Sequence, residues 1–255
     1  MNTSSVSPDA AESSNVIEIE TARRDSPDAI YEHLRSRILS GELAAGSELA
    51  QLQIARAYGV SRGPVREAFR LLQREGLIET HINLRARVTT LSPDEVEHLY
   101  AMRIVNECMA LAVSLPRLTT DELDELDELV TRLSADQGLE FFEWERCHER
   151  FHALLFAHAG PRTQAMLGHW ADHTERYRRV YVIEGASGWT LGASEHAQIA
   201  GAARRADIAG ASSLLAHHLA RAGLTLVAIM DPGYEPALIQ AALRQVCGTG
   251  ADPRR

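Results

Sequence analysis

A chain of 255 residues with 45% hydrophobic and 24% charged side chains can bury one or two cores, and as a whole it is too apolar to stay unfolded. The apolar run Leu224 to Met230, Thr225 included, is far too short to span a bilayer. Met1 to Glu20 lacks the basic start and apolar block of an export signal, so the expected location is the cytoplasm. The net charge of −9 argues against a nucleic-acid partner until its distribution is counted: Asp28 to Thr90 holds nine arginines against seven acids, and Leu91 onward fifteen against twenty-three.

Residues 1–25 are rich in Ser, Ala and acids without apolar periodicity and are expected to form a disordered tail. Ser26 then caps a helix with Pro27 at its first position, and Ile30, Leu34, Ile38 and Leu39 follow at helical spacing until Gly41. Gly46 marks a turn before a second short helix carrying Leu49, Leu52, Ile54 and Ala55. Tyr58-Gly59-Val60 turns into a third helix, capped by Ser61, with Val65, Ala68, Phe69, Leu71 and Leu72 as its apolar face and Gly76 as its stop. Two β-type runs, Leu77 to Thr80 and Ala86 to Leu91, flank a polar tip at His81 to Arg85. Helix, helix, turn, helix, hairpin is the order of a winged helix-turn-helix, so residues 26–91 read as a DNA-binding domain.

The third helix has suitable chemistry. Arg62, Arg66 and Arg70 recur at every fourth position and share a face, the first two in the opening turns where a recognition helix meets base edges. Ser61 and the free amides at the helix start suit a phosphate. On an arbitrary helix such arginines would be a solvated face paired with Glu67 and Glu75, but the order of elements around them outweighs that reading. The stretch Gly41-Glu42-Leu43, Gly46, Leu49, then Gly59-Val60-Ser61-Arg62-Gly63-Pro64-Val65-Arg66-Glu67-Ala68, Leu72 and Glu75-Gly76-Leu77-Ile78 resembles the DNA-binding domain of GntR-family regulators. The resemblance implies DNA contacts from Arg62 and Arg66, and from a wing spanning Asn83 to Arg87 that meets the minor groove. Arg85 stands where that family usually has Gly.

Beyond the hairpin no strand pattern appears. Ser92-Pro93-Asp94-Glu95 reads as a capping box opening a helix to Leu115. Further helical runs span Thr120 to Ala135, Leu139 to Ala159, Arg162 to Val182, Ala193 to Arg205, Ile208 to Met230 and Pro236 to Val246. Their breaks fall at Gly138, Gly160-Pro161, Gly185 to Gly188 and Asp231-Pro232-Gly233. Together they read as an antiparallel bundle over residues 92–248. The acidic run Asp121 to Asp127 is an exposed face with Leu123, Leu126 and Leu129 turned inward. The three cysteines, Cys108, Cys147 and Cys247, form no CxxC pair and read as buried or inert thiols.

His148 and His152, four apart, project side by side from one helix. Most such pairs are surface residues. An antiparallel hairpin can bring His196 and His218 to the same level, and four neutral imidazoles suit a divalent transition metal such as zinc or nickel. The strings Phe151-His152-Ala153-Leu154, Ala159-Gly160, Glu195-His196-Ala197-Gln198-Ile199, Ala206-Asp207 and His218-Leu219 resemble the FCD effector domain of the FadR-like subfamily of GntR regulators. Many members hold a metal with one Asp and three His. The resemblance puts His152, His196 and His218 on the three His positions and His148 on the Asp position, which moves preference away from hard ions. Pro161 replaces a common Asn.

Arg103 and Glu107 sit four apart on the first bundle helix. The resemblance implies an arginine here that binds organic acids together with the metal, and a structural ion pair with Glu107 is the other reading. His173, Tyr177 and Arg178 are further cavity candidates, with surface or core duty the plainer role. The expected fold is therefore mainly α: a winged helix-turn-helix of three helices plus a β-hairpin, then an all-α bundle of the FCD type. The expected function is a repressor, not an enzyme: a homodimer on a palindromic operator, released when a small carboxylate effector changes the pose of its DNA-binding domains. Alternatives are a metal sensor with the ion itself as effector, a metal-dependent enzyme using the His cluster, and a purely structural set of histidines.

Overall fold

A computed structural model describes residues 26–81, 85–134, 141–182 and 187–248. The tail expected at 1–25, the break at Gly138 and the wing residue Asn83 lie outside these. Contacts divide the chain between Ser36 and Arg37, Ala45 and Gly46, and Thr89 and Thr90 into two compact units.

The first unit is built from α1 (Pro27–Leu39), which crosses the first division, with β1 (Glu48–Ala50), α2 (Gln51–Ala57), α3 (Arg62–Arg74), β2 (Ile78–His81) and β3 (Arg85–Val88). Ser26 caps α1, its hydroxyl accepting from Ala29 N at 3.1 Å. The turn into α3 places Gly59 at φ +65°, in the left-handed region where a side chain would be strained. Ile30 and Leu34 from α1, Val65, Ala68, Phe69 and Leu72 from α3, and Ile78, Ala86 and Val88 from the strands are all buried. The period of α3 therefore leaves Arg62, Arg66 and Arg70 outward.

Three expectations need correction here. Leu49 belongs to a strand rather than to the second helix: β1 pairs antiparallel with β3, Leu49 opposite Ala86, making a sheet ordered β1-β3-β2. Ser61 occupies the N-cap position of α3, but its side chain makes no capping bond. His81 and Arg85, expected in the hairpin tip, are paired strand residues.

The second unit carries α4 (Pro93–Ser114), followed by a single 3-10 turn, then α5 (Thr120–Leu133), α6 (Phe141–Leu155), α7 (Pro161–Val182), α8 (Ser187–Arg204), α9 (Ile208–Met230) and α10 (Ala237–Cys247). Every helical run read from the sequence is present, with α8 starting six residues before the expected Ala193 although Gly188 and Gly192, poor helix formers that made the sequence suggest a later start, lie inside it. Ser92 caps α4 through Glu95 N at 3.2 Å, but the Glu95 carboxylate accepts from the Tyr177 hydroxyl, while the reciprocal box forms at Thr119 and Glu122 instead. The acidic face of α5 is clamped by arginines: Arg204 reaches Asp124 and Asp127, and Arg150 reaches Glu125.

Helix α9 is long and apolar enough to cross a membrane by composition, yet it is the bundle's inner helix, packed against α4, α8 and α10. Its approach to α4 is set by Gly223, where an added Cβ would stand 2.7 Å from Tyr100 Cγ and 3.0 Å from Ile239 Cδ1. That close contact brings the α4 face with Arg103 and Glu107 beside the α9 face with His218.

Candidate functional site

Three helices of the second unit supply the histidines. Helix α6 supplies His148 and His152, α8 supplies His196 and α9 supplies His218. One nitrogen from each ring lies within 4.8 Å of one from every other. His152, His196 and His218 are buried and His148 is partly so. Both nitrogens of His152 and of His196 lack a hydrogen-bond partner among the described residues. Buried imidazole nitrogens left unpaired cost free energy unless something occupies them, and a neutral ring has a lone pair to give. Burial, reinforced by the nearby Arg178 and the other rings, holds His148 well below its ordinary pKa. Burial and the neighbouring His218 do the same for His152 and His196. His218 is lowered by burial and only partly restored by Glu195. All four shifts favour the neutral ring, the form that ligates a metal.

His218 is oriented by a partner that periodicity did not reveal. Its Nδ1 bonds Glu195 Oε2 at 2.7 Å, and Glu195 is itself held by Arg221 through two bonds of 2.6 Å. Burial would raise the Glu195 carboxyl, but the bonds from His218 and Arg221 prevail and hold it at about 2. A carboxylate bonded to one imidazole nitrogen fixes the tautomer and leaves the other nitrogen basic. His148 differs: it stacks on Trp144 at 4.8 Å between ring centres and meets Arg178 Nη1 at 3.2 Å.

The histidines line a cavity of about 990 Å³. Arg103 lines it too, and the ion pair with Glu107 is formed: its Nε donates to Glu107 Oε1 at 2.5 Å and its Nη1 to Thr174 Oγ1 at 2.6 Å. Of the further candidates, Arg178 lines the cavity, paired with Glu175. Tyr177 is a core residue tied to Glu95, and His173 is buried away from the cavity wall. Glu175 is hydrogen-bonded to Glu145, and burial pushes its carboxyl up to about 8. Thr174, Arg221 and Trp144 were not read as site residues. Trp144 could have been, since it stands four before His148 on the same helix face.

On the first unit, Arg62 and Arg66 are exposed and make no ion pair among the described residues. Arg70 pairs with Glu67 at 2.9 Å, whereas Glu75 is taken by Arg35 and Tyr31. Arg85 and Arg87 both reach Glu48, at 3.1 and 3.4 Å.

A helix-turn-helix with an exposed, unpaired arginine pair, joined in one chain to a helical bundle with a histidine-lined cavity, is the build of a DNA-binding transcription regulator with a separate second domain. Residues 27–88 match the family of bacterial regulatory proteins called gntR, and residues 98–221 match the FCD domain. The HTH-type transcriptional regulator BphR of Paraburkholderia xenovorans is 32% identical over 200 residues, covering 75% of this chain and 81% of that protein. The transcriptional repressor GlaR of Escherichia coli is 27% identical over 199 residues, 74% of this chain and 90% of its own. Among solved structures, E. coli McbR/YncC superposes with a TM-score of 0.66 at 20% identity, covering 78% of this chain and 96% of that one. The chain belongs to the GntR family of transcriptional regulators, with an FCD second domain.

Proposed function

We propose that this regulator is a repressor, released from a palindromic operator by a small organic acid bound beside a divalent transition metal. In this reading residues 26–91 form the DNA-binding domain and residues 92–248 the effector-binding and dimerisation domain of a cytoplasmic homodimer. The observation that carries it is the cluster of four histidines in the wall of a cavity that Arg103 also lines, with both ring nitrogens of buried His152 and His196 unpartnered among the described residues. An all-nitrogen donor set of this kind suits zinc or nickel, held by His148, His152, His196 and His218. Such an ion, when bound, supplies a Lewis-acidic positive centre that draws a carboxylate. Arg103, kept in place by Glu107 and Thr174, then orients that carboxylate from the side.

On the DNA side Arg62 and Arg66 read base edges, with Ser61, Arg70, Asn83, Arg85 and Arg87 as backbone or wing contacts. The uncapped Ser61 hydroxyl is available for a phosphate oxygen. Support for the homodimer comes from α4, where Met102, Met109 and Val113 are exposed at a spacing that puts them on one helix face.

A second reading, the ion itself as effector, is favoured by one observation. Arg103, Arg178 and Arg221 are each already paired with a carboxylate, so a bound ion would be the main unmatched charge. One experiment separates the two. Metal-loaded and chelator-treated protein is screened against a panel of carboxylates by thermal shift, and operator affinity is then measured with each hit. Release by an acid only when metal is present supports the first reading. A full switch on metal removal alone, with no acid active, supports the second.

A further inference from the structure

Beside the histidines lies a pair of buried atoms with no hydrogen-bond partner among the described residues. Glu107 is only 1% exposed, and its two carboxylate oxygens have different surroundings. Oε1 is fixed by Arg103, which Thr174 fixes in turn. Oε2 has no hydrogen-bond partner among the described residues, and His152 Nδ1, equally unpartnered, lies 3.9 Å from it. That separation is too long for a hydrogen bond. It is short enough for one oxygen atom to stand about 2.8 Å from both.

The two atoms ask for different things. Glu107 Oε2 only accepts, so its neighbour must donate. A His152 ring that gives its other nitrogen to a metal keeps the proton on Nδ1, so the same neighbour must also accept. A carboxylate oxygen is repelled by Glu107, and an ammonium cannot accept from Nδ1. A hydroxyl does both. We propose that the effector is a hydroxy acid whose hydroxyl bridges Glu107 Oε2 and His152 Nδ1, and that Glu107 is the residue selecting it over the corresponding acid without the hydroxyl. The proposal rests on the carboxylate-and-metal reading above and narrows the class of acid within it.

The test uses full-length, zinc-loaded protein and matched probes: mandelate against phenylacetate, malate against succinate, and phenylglycine as the amino counterpart of mandelate, each chiral probe in both enantiomers. Titration calorimetry is expected to show the better hydroxy acid enantiomer binding roughly ten- to a hundredfold more tightly than its hydroxyl-free partner, the range for a hydrogen bond to a buried charged group. Phenylglycine is expected to gain nothing over phenylacetate. Glu107→Gln, and Glu107→Asp as a second variant that withdraws the carboxylate by one carbon, are expected to shrink the preference to a few-fold while leaving zinc affinity unchanged.

Equal binding of both members of every pair to the wild-type protein overturns the proposal and leaves the organic-acid reading standing. A preference that survives both substitutions also overturns it, and a loss of zinc affinity in both overturns it too, by making Glu107 a support for His152. Binding of none of the acids overturns the organic-acid reading itself, and this proposal with it.

Discussion

Arginine does opposite work in the two units, and the contrast shows how surroundings decide the use of one side chain. On α3, Arg62 and Arg66 stand in solvent with no carboxylate to satisfy them among the described residues, so each keeps a full set of donors for a phosphate or a guanine edge. In the bundle, Arg103 is only 6% exposed, and it can be there only because Glu107 and Thr174 take its donors. Arg178 and Arg221 follow the same rule with Glu175 and Glu195. The two arginines at the start of α3 are free hands, whereas buried Arg103 comes with its counter-ion and acts as a positioned pair.

The largest expected effect breaks the comparison at its exposed end. Each specific guanidinium contact contributes about 1–3 kcal/mol, so Arg62→Ala with Arg66→Ala should cost operator affinity about thirtyfold to roughly twenty-thousandfold. Fluorescence anisotropy on a labelled operator measures this, while metal content and thermal stability stay at wild-type values. A double variant that binds its operator normally would move base reading away from α3.

The contrast also explains what could be read from the sequence. The α3 arginines were legible because their spacing, the apolar stripe behind them and the turn at Gly59 are all local signals. The bundle helices were legible for the same reason. Strand β1 was not, since three residues carry no periodicity and its partner β3 lies far along the chain. Within the site, only the His148–His152 spacing on α6 is a local signal. His196 and His218 entered because an antiparallel hairpin can bring them level with that pair, and the role of Glu195 behind His218 stayed unread because their bond crosses from α8 to α9. Ser61 shows the reverse error, a residue of the right type at a helix start whose hydroxyl does not cap.

The buried end of the comparison is tested by pH. In metal-free protein the four imidazoles are held below the ordinary value of 6.5, His148, His152 and His196 well below it. Below that value the unfolded chain therefore binds protons that the folded chain refuses. Unfolding takes up protons, so stability is full above about pH 6.5 and is lost as pH falls, by up to about 1.4 kcal/mol per pH unit for each histidine. Urea unfolding of chelator-treated protein between about pH 8 and pH 5 measures the slope. It should flatten in His152→Ala/His196→Ala. A wild-type profile with no slope would mean that the rings are solvated and the cluster is not closed.

A smaller effect isolates the carboxylate behind the metal ligands. Glu195→Ala removes the acceptor that orients His218 and should lower zinc affinity about ten- to a hundredfold in a chelator competition, the usual cost of losing a partner behind a ligand. Glu195→Gln, which keeps an acceptor, should recover part of that loss. Equal loss in both variants would assign the effect to the charge that Glu195 offers Arg221 rather than to the orientation of His218.

The smallest expected effect separates the third arginine of α3 from the other two. Arg70 shares their face, but it lies a further turn along the helix and is tied to Glu67 at 2.9 Å with both side chains largely in solvent. An exposed pair of this kind contributes under about 1 kcal/mol to stability, so Arg70→Ala should leave folding nearly unchanged. Its contact with DNA is expected to be a phosphate, because the opening turns of a recognition helix, not its later ones, meet base edges. Arg70→Ala should then weaken binding severalfold and alike on operator and unrelated DNA, and reduce the dependence of log affinity on log salt by about one unit. A loss confined to the operator would place Arg70 with Arg62 and Arg66 as a reader of sequence, and would show that pairing with Glu67 does not hold it out of the groove.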